Sequence, residues 1–74
     1  MGRLAGHKYK DIVRKIKSCG FALDRHAAGS HEIRYNAATG KYTTLPYHPG
    51  DMPEGTLRGI QRQADIDIDR FLGI

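Results

Sequence analysis

Apolar residues recur at Tyr9, Ile12, Val13, Ile16 and Cys19, in the three- and four-residue steps that draw one stripe along a helix. The pattern predicts a helix from about Lys8 to Cys19. Lys10, Arg14, Lys15, Lys17 and Ser18 turn away from the stripe. Gly20 is its stop, because glycine enters the left-handed conformation without steric cost. Residues 1–7 read as a flexible lead-in. Past Gly20 the period shortens. Phe21 to about Arg25 is a first strand, and Ala27-Ala28-Gly29 is small and turn-like. From His31 to Asn36 the chain alternates, with His31, Ile33 and Tyr35 on one face and Glu32, Arg34 and Asn36 on the other. Ala37 to Gly40 makes a hairpin turn. Lys41 to Leu45 is a third strand, with Thr43 and Leu45 inward and Pro46, which lacks a backbone donor, at its end. Residues 47–53 form a loop dense in proline and glycine. Helical spacing returns from about Glu54 to Ala64, with Leu57, Ile60, Gln61 and Ala64 inside and Arg58 and Arg62 on an outer edge. Asp67 has the chemistry of an N-cap for a last short helix holding Ile68, Phe71 and Leu72.

The element order is α-β-β-β-α with a short helical tail. An α+β fold follows: one three-stranded antiparallel sheet with both helices packed on one face, the architecture of the double-stranded-RNA-binding domain. At 74 residues the chain makes a single domain with a thin core, and has no room for a separate cofactor domain. Twelve Lys and Arg stand against eight Asp and Glu. That balance suits a polyanionic partner, nucleic acid first among them. The charge is uneven: Arg3, Lys8, Lys10, Arg14, Lys15 and Lys17 precede residue 20 with Asp11 as the one acid among them. The single cysteine, Cys19, excludes an internal disulfide and a multi-cysteine zinc site, and reads as a small core residue. No apolar run approaches membrane-spanning length, and the first residues lack the apolar core of a signal peptide. A cytoplasmic protein with no membrane association is expected.

The four histidines, His7, His26, His31 and His48, are the candidates for chemistry. No pair has the spacing of a helical metal motif; a three-ligand site of His31, His48 and an acid stays open, but nothing in the spacing asks for it, and no metal and no cofactor is expected. His31 is distinguished by Gly29-Ser30 in front of it, which leaves a small approach for a nucleobase or phosphate, and by its place at the start of a strand. A histidine titrates near neutral pH and serves as general base or acid. Spacing alone favours the plainer role, a hydrogen-bonded residue at the core's edge in phase with Ile33 and Tyr35.

Resemblance changes that balance. Gly20-Phe21, Gly29-Ser30-His31, Ile33, the glycine turn at Gly40, Leu45-Pro46-Tyr47-His48, Gly55-Thr56-Leu57-Arg58, Ile60 and Gln63-Ala64 follow one another as in the HicA (YcfA-like) toxin family, which the chain closely resembles over about residues 8–72. Each element is unspecific; the ordered set is specific. The resemblance implies a type II toxin–antitoxin component with a double-stranded-RNA-binding-like fold. It implies a ribosome-independent mRNA interferase, blocked by a HicB-type antitoxin protein. The histidine of the Gly-Ser-His motif, His31 here, is then the catalytic residue. Two departures stand out. Many relatives carry a second histidine where this chain has Glu32, and many carry glycine near Asp65.

RNA brings its own nucleophile, the ribose 2′-hydroxyl. The expected chemistry is therefore a metal-independent endoribonuclease in which His31 moves a proton. His48 and Ser30 are auxiliary candidates: His48 for a second proton transfer, Ser30 for orienting His31 or touching phosphate. Lys10, Arg14 and Lys17 on the first helix, with Arg58 and Arg62 on the second, are candidates for holding RNA phosphates. For any one of these cations a solvated helix face is the plainer reading. Two rival functions remain: an RNA-binding module that does not cut, and a pure protein-interaction domain.

Overall fold

The computed structural model describes residues 3–29 and 31–73. In chain order the elements are α1 (Tyr9–Ser18), β1 (Ala22–Ala27), β2 (His31–Asn36), β3 (Lys41–Pro46), α2 (Glu54–Ala64) and α3 (Ile68–Leu72). The strands form one antiparallel sheet in the order β1-β2-β3. Ile12 and Ile16 of α1, Leu57, Ile60 and Ala64 of α2, Phe71 of α3 and Leu45 of β3 share one buried cluster with Phe21, Met52 and Ile66. Both long helices therefore cover the same side of the sheet, as the element order predicts.

Local chemistry sets the ends of these elements. Gly20 lies at φ +96° and releases the chain from α1 into Phe21. Asn36 ties two turns together: its amide Nδ2 donates to the Cys19 carbonyl at the end of α1, and its Oδ1 accepts from Ala38 N in the β2–β3 turn. Asp65 ends α2 in the left-handed region at φ +57°. The Asp67 carboxylate accepts from the backbone N–H groups of Asp69 and Arg70, so the expected N-cap of α3 is present. Gln63 covers the outer edge of β3: its Oε1 accepts from Thr44 N and from the buried Thr43 hydroxyl. That leaves β1 as the sheet's open edge.

Four readings from the sequence need correction. Residues 3–7 are not a loose lead-in: Leu4 is buried in the core, and the His7 carbonyl accepts from Met52 N at 2.7 Å. Ala27 belongs to β1, because it finds a partner in His31. Lys15 does not face solvent; α3 lies over it, and its ammonium donates to the Leu72 carbonyl. The last concerns β2. Its core-facing side is Glu32, Arg34 and Asn36, while Ile33 and Tyr35 lie on the open face with His31. The inversion is possible because the inward polar groups are satisfied. The Arg34 guanidinium donates to Glu32 and to the Phe21 carbonyl, and Asn36 has the bonds described above. A buried polar group with partners carries no desolvation penalty large enough to expel it.

Candidate active site

Antiparallel pairing gathers the C-terminus of β1, the N-terminus of β2 and the C-terminus of β3 at one end of the sheet. Ala27, His31 and Pro46 lie side by side there. His31 is exposed on the open face. Among the described residues no hydrogen bond or ion pair engages its ring, so none of them competes with a substrate for its nitrogens. Ser30 lies outside the described residues.

Glu32 follows His31 and points to the other side of the sheet, as strand geometry requires. There it lines a shallow cleft of about 430 Å³ with Tyr9, His26 and Tyr47. His26 is the register partner of Glu32 across β1 and β2. The rings of Tyr9 and Tyr47 meet edge to face with centroids 5.2 Å apart. Burial, reinforced by the nearby Glu32 carboxylate, pushes the Tyr9 phenol above its ordinary value of 10.0.

The other side of the Tyr9–Tyr47 pair faces a second cleft, of about 200 Å³, with His48, Lys8 and Lys10 in its walls. His48 is half-buried; its Nδ1 is buried and has no hydrogen-bond partner among the described residues. Lys8 bridges Asp51 at 2.8 Å, and this bond holds the Asp51 carboxyl below its ordinary range and the Lys8 ammonium above its own. His31 lines neither cleft. His48 thus comes to the same end of the molecule as His31 but serves a different surface.

The five candidate phosphate ligands are not gathered at one point. Lys10 lies beside His48. Arg14 is exposed and 3.4 Å from Asp11. Lys17 lies at the far end of α1, lining a cleft with Phe21 and Arg34. On α2, Arg58 is half-buried and Arg62 exposed. Residues 10, 14 and 17 still run along one exposed side of α1, as their spacing requires. Among the described residues no three His, Cys, Asp or Glu side chains come together as metal ligands would, and no helix is long and apolar enough to cross a membrane.

Sequence reasoning passed over the Tyr9–His26–Glu32–Tyr47 cleft. Its four residues come from α1, β1, β2 and the loop after β3, and only the strand register and the seat of α1 bring them together. The one signal in the sequence was the charge at Glu32, where a histidine is common in the family the chain resembles.

A family model described as HicA toxin of bacterial toxin-antitoxin matches residues 9–66. That span takes in α1, the sheet and α2, with His31, the whole of the first cleft and all of the second but Lys8. No curated protein matches the chain.

Proposed function

The chain belongs to the HicA toxin family of bacterial toxin–antitoxin systems, and from that premise we propose that it is a ribosome-independent mRNA interferase. His31 is its proton-transfer group and a HicB-type antitoxin its protein partner. The observation that carries the reading is the setting of His31: exposed, unengaged among the described residues, and at the open end of the sheet. A histidine held in place by backbone pairing, with its ring turned to solvent, has the access that proton transfer in RNA cleavage requires.

The chemistry uses the RNA's own nucleophile. His31 takes the proton of a ribose 2′-hydroxyl. The 2′ oxygen bonds to the adjacent phosphorus as the bond from phosphorus to the 5′ oxygen breaks, and that oxygen leaves with a proton from solvent at this exposed edge. General-base help of this kind is worth roughly 10²–10⁴ in rate. Charge grows on the non-bridging oxygens, and cations near the phosphate stabilise it. Because their cleft is a different surface from that of His31, we assign His48 and Lys10 to a neighbouring phosphate, with Arg14, Lys17, Arg58 and Arg62 holding the flanking backbone. Ser30, next to His31 in the chain, keeps the proposed part of orienting it.

The products test the mechanism. A 5′-labelled RNA incubated with the purified chain and a metal chelator is expected to yield 2′,3′-cyclic phosphate and 5′-hydroxyl ends. Ends bearing a 3′-hydroxyl and a 5′-phosphate would overturn it.

A further inference from the structure

We propose that the cleft formed by Tyr9, His26, Glu32 and Tyr47 is a nucleobase subsite that selects guanine, with Glu32 as the residue that reads the base. The inference rests on the RNA reading above and deepens it.

A carboxylate in a site for a polyanion needs explaining, since it repels phosphate. Glu32 is also fixed in place. Its Oε1 accepts from Arg34 Nε at 2.9 Å, and Arg34 is itself anchored to the Phe21 carbonyl. This leaves Glu32 short of its acceptor capacity, because a carboxylate has about four lone-pair positions. One-fifth of its side chain stays exposed, and it lines the cleft. What such a group can read on RNA is a pair of N–H donors.

Guanine alone among the four bases offers two adjacent donors, N1–H and the N2 amino group, on its Watson–Crick edge. Adenine and cytosine set an acceptor beside their amino donor. Uracil sets its one donor between two carbonyls. Each of these three would turn a lone pair toward the carboxylate. Guanine O6 lies next to N1–H, and His26 faces Glu32 across the strand pair with a ring that carries an N–H donor in either tautomer. Tyr9 and Tyr47 supply the aromatic surface on which unpaired bases stack. Tyr47 is 55% exposed, so its ring is open to a base.

The distribution of charge agrees. The Tyr9–Tyr47 pair divides an acceptor-bearing cleft from one walled by Lys8, Lys10 and His48. A nucleotide at this edge finds base recognition on one side and cations for its phosphate on the other. His31, one residue from Glu32 on the opposite face of β2, then meets the backbone of the strand whose base is held.

The test is an NMR titration of the wild-type chain with the 3′-monophosphates of guanosine, adenosine, cytidine and uridine. The guanosine nucleotide is expected to bind at least about tenfold more tightly than the others and to shift the resonances of Tyr9, His26, Glu32 and Tyr47. Glu32→Gln, which keeps an oxygen for Arg34, is expected to abolish that preference. Tyr47→Ala is expected to weaken guanosine binding roughly tenfold, and it serves where the Glu32 variant fails to fold. Equal affinity for the four nucleotides, shifts elsewhere on the surface, or a preference that survives Glu32→Gln would overturn the subsite. Sequencing the products of a random RNA pool separates the two claims. Cutting without guanine preference leaves the nuclease reading and removes the subsite. Guanosine binding in the cleft without any cutting leaves the subsite and removes the nuclease.

Discussion

Arg34 Nε donates to Glu32 Oε1 across 2.9 Å, and both side chains lie on the sheet face that the helices cover. The pair lets a polar stretch of β2 turn inward, and it holds the carboxylate at the edge of a cleft. Its partners are not interchangeable. Removing Arg34 leaves a partly buried carboxylate alone and a free Phe21 carbonyl. Arg34→Ala is expected to cost about 3 kcal/mol of stability. Glu32→Gln, which retains a hydrogen bond, should cost about 1 kcal/mol. Urea unfolding of the three chains measures both; an Arg34→Ala cost under about 1 kcal/mol would mean that the pair does not organise the inner face.

Lys8 and Asp51 join residues before α1 to the loop before α2, beside an isolated β-bridge between the same two residues. Both side chains are exposed, so the effect on stability is small, but its sign in pH is fixed. Asp51 is held below its ordinary value of 3.8 by the Lys8 hydrogen bond. Its contribution is complete above that value and is lost as pH falls through the lower folded one. Lys8 is held above 10.5 by the same bond; its contribution is complete below 10.5 and is lost as pH rises through the higher folded value. Urea midpoints of the wild type and Asp51→Asn should therefore differ across the middle range and converge at both extremes. A gap that persists at the acid extreme contradicts this account.

Asp65 takes the left-handed conformation that ends α2, at φ +57°. After glycine, a short polar side chain such as aspartate is among the least strained there. Asp65→Gly is expected to stabilise the chain by about 0.5–1 kcal/mol, measured as a raised thermal midpoint. A lowered midpoint would mean that the exposed pairing with Lys41, at 3.9 Å, outweighs the backbone strain.

Lys10, Arg14 and Lys17 lie along one exposed side of α1. If RNA follows that side, replacing all three with alanine should reduce the slope of log affinity against log salt by about 2, since each contact with single-stranded RNA contributes about 0.7. Fluorescence anisotropy over a salt series gives the slope. An unchanged slope places the RNA elsewhere on the molecule.

The fold was legible wherever one period ran uninterrupted. The limits of β2 and α2 match the pattern, and α1 agrees to within one residue at each end, because propensity, spacing and stop signals agree there. The sequence misled where tertiary partners decide. Ala27 looks like a turn until His31 pairs with it. Lys15 looks solvated until α3 covers it. Glu32, Arg34 and Asn36 look like an outer face because alternation shows that two faces exist without showing which one is buried. Of the candidate site, the place of His31 at the start of β2 was legible from alternation. The Tyr9–His26–Glu32–Tyr47 cleft was not, since no local signal links four residues that only the assembled fold brings together.

The central claim is that His31 moves a proton in RNA cleavage, and His31→Ala tests it most directly. Its ring is exposed and unengaged among the described residues, so its removal should leave the fold and the affinity for a short RNA within about twofold, while cleavage falls by roughly 10²-fold or more and growth arrest is lost. A folded His31→Ala chain that cuts RNA at the wild-type rate would contradict the claim.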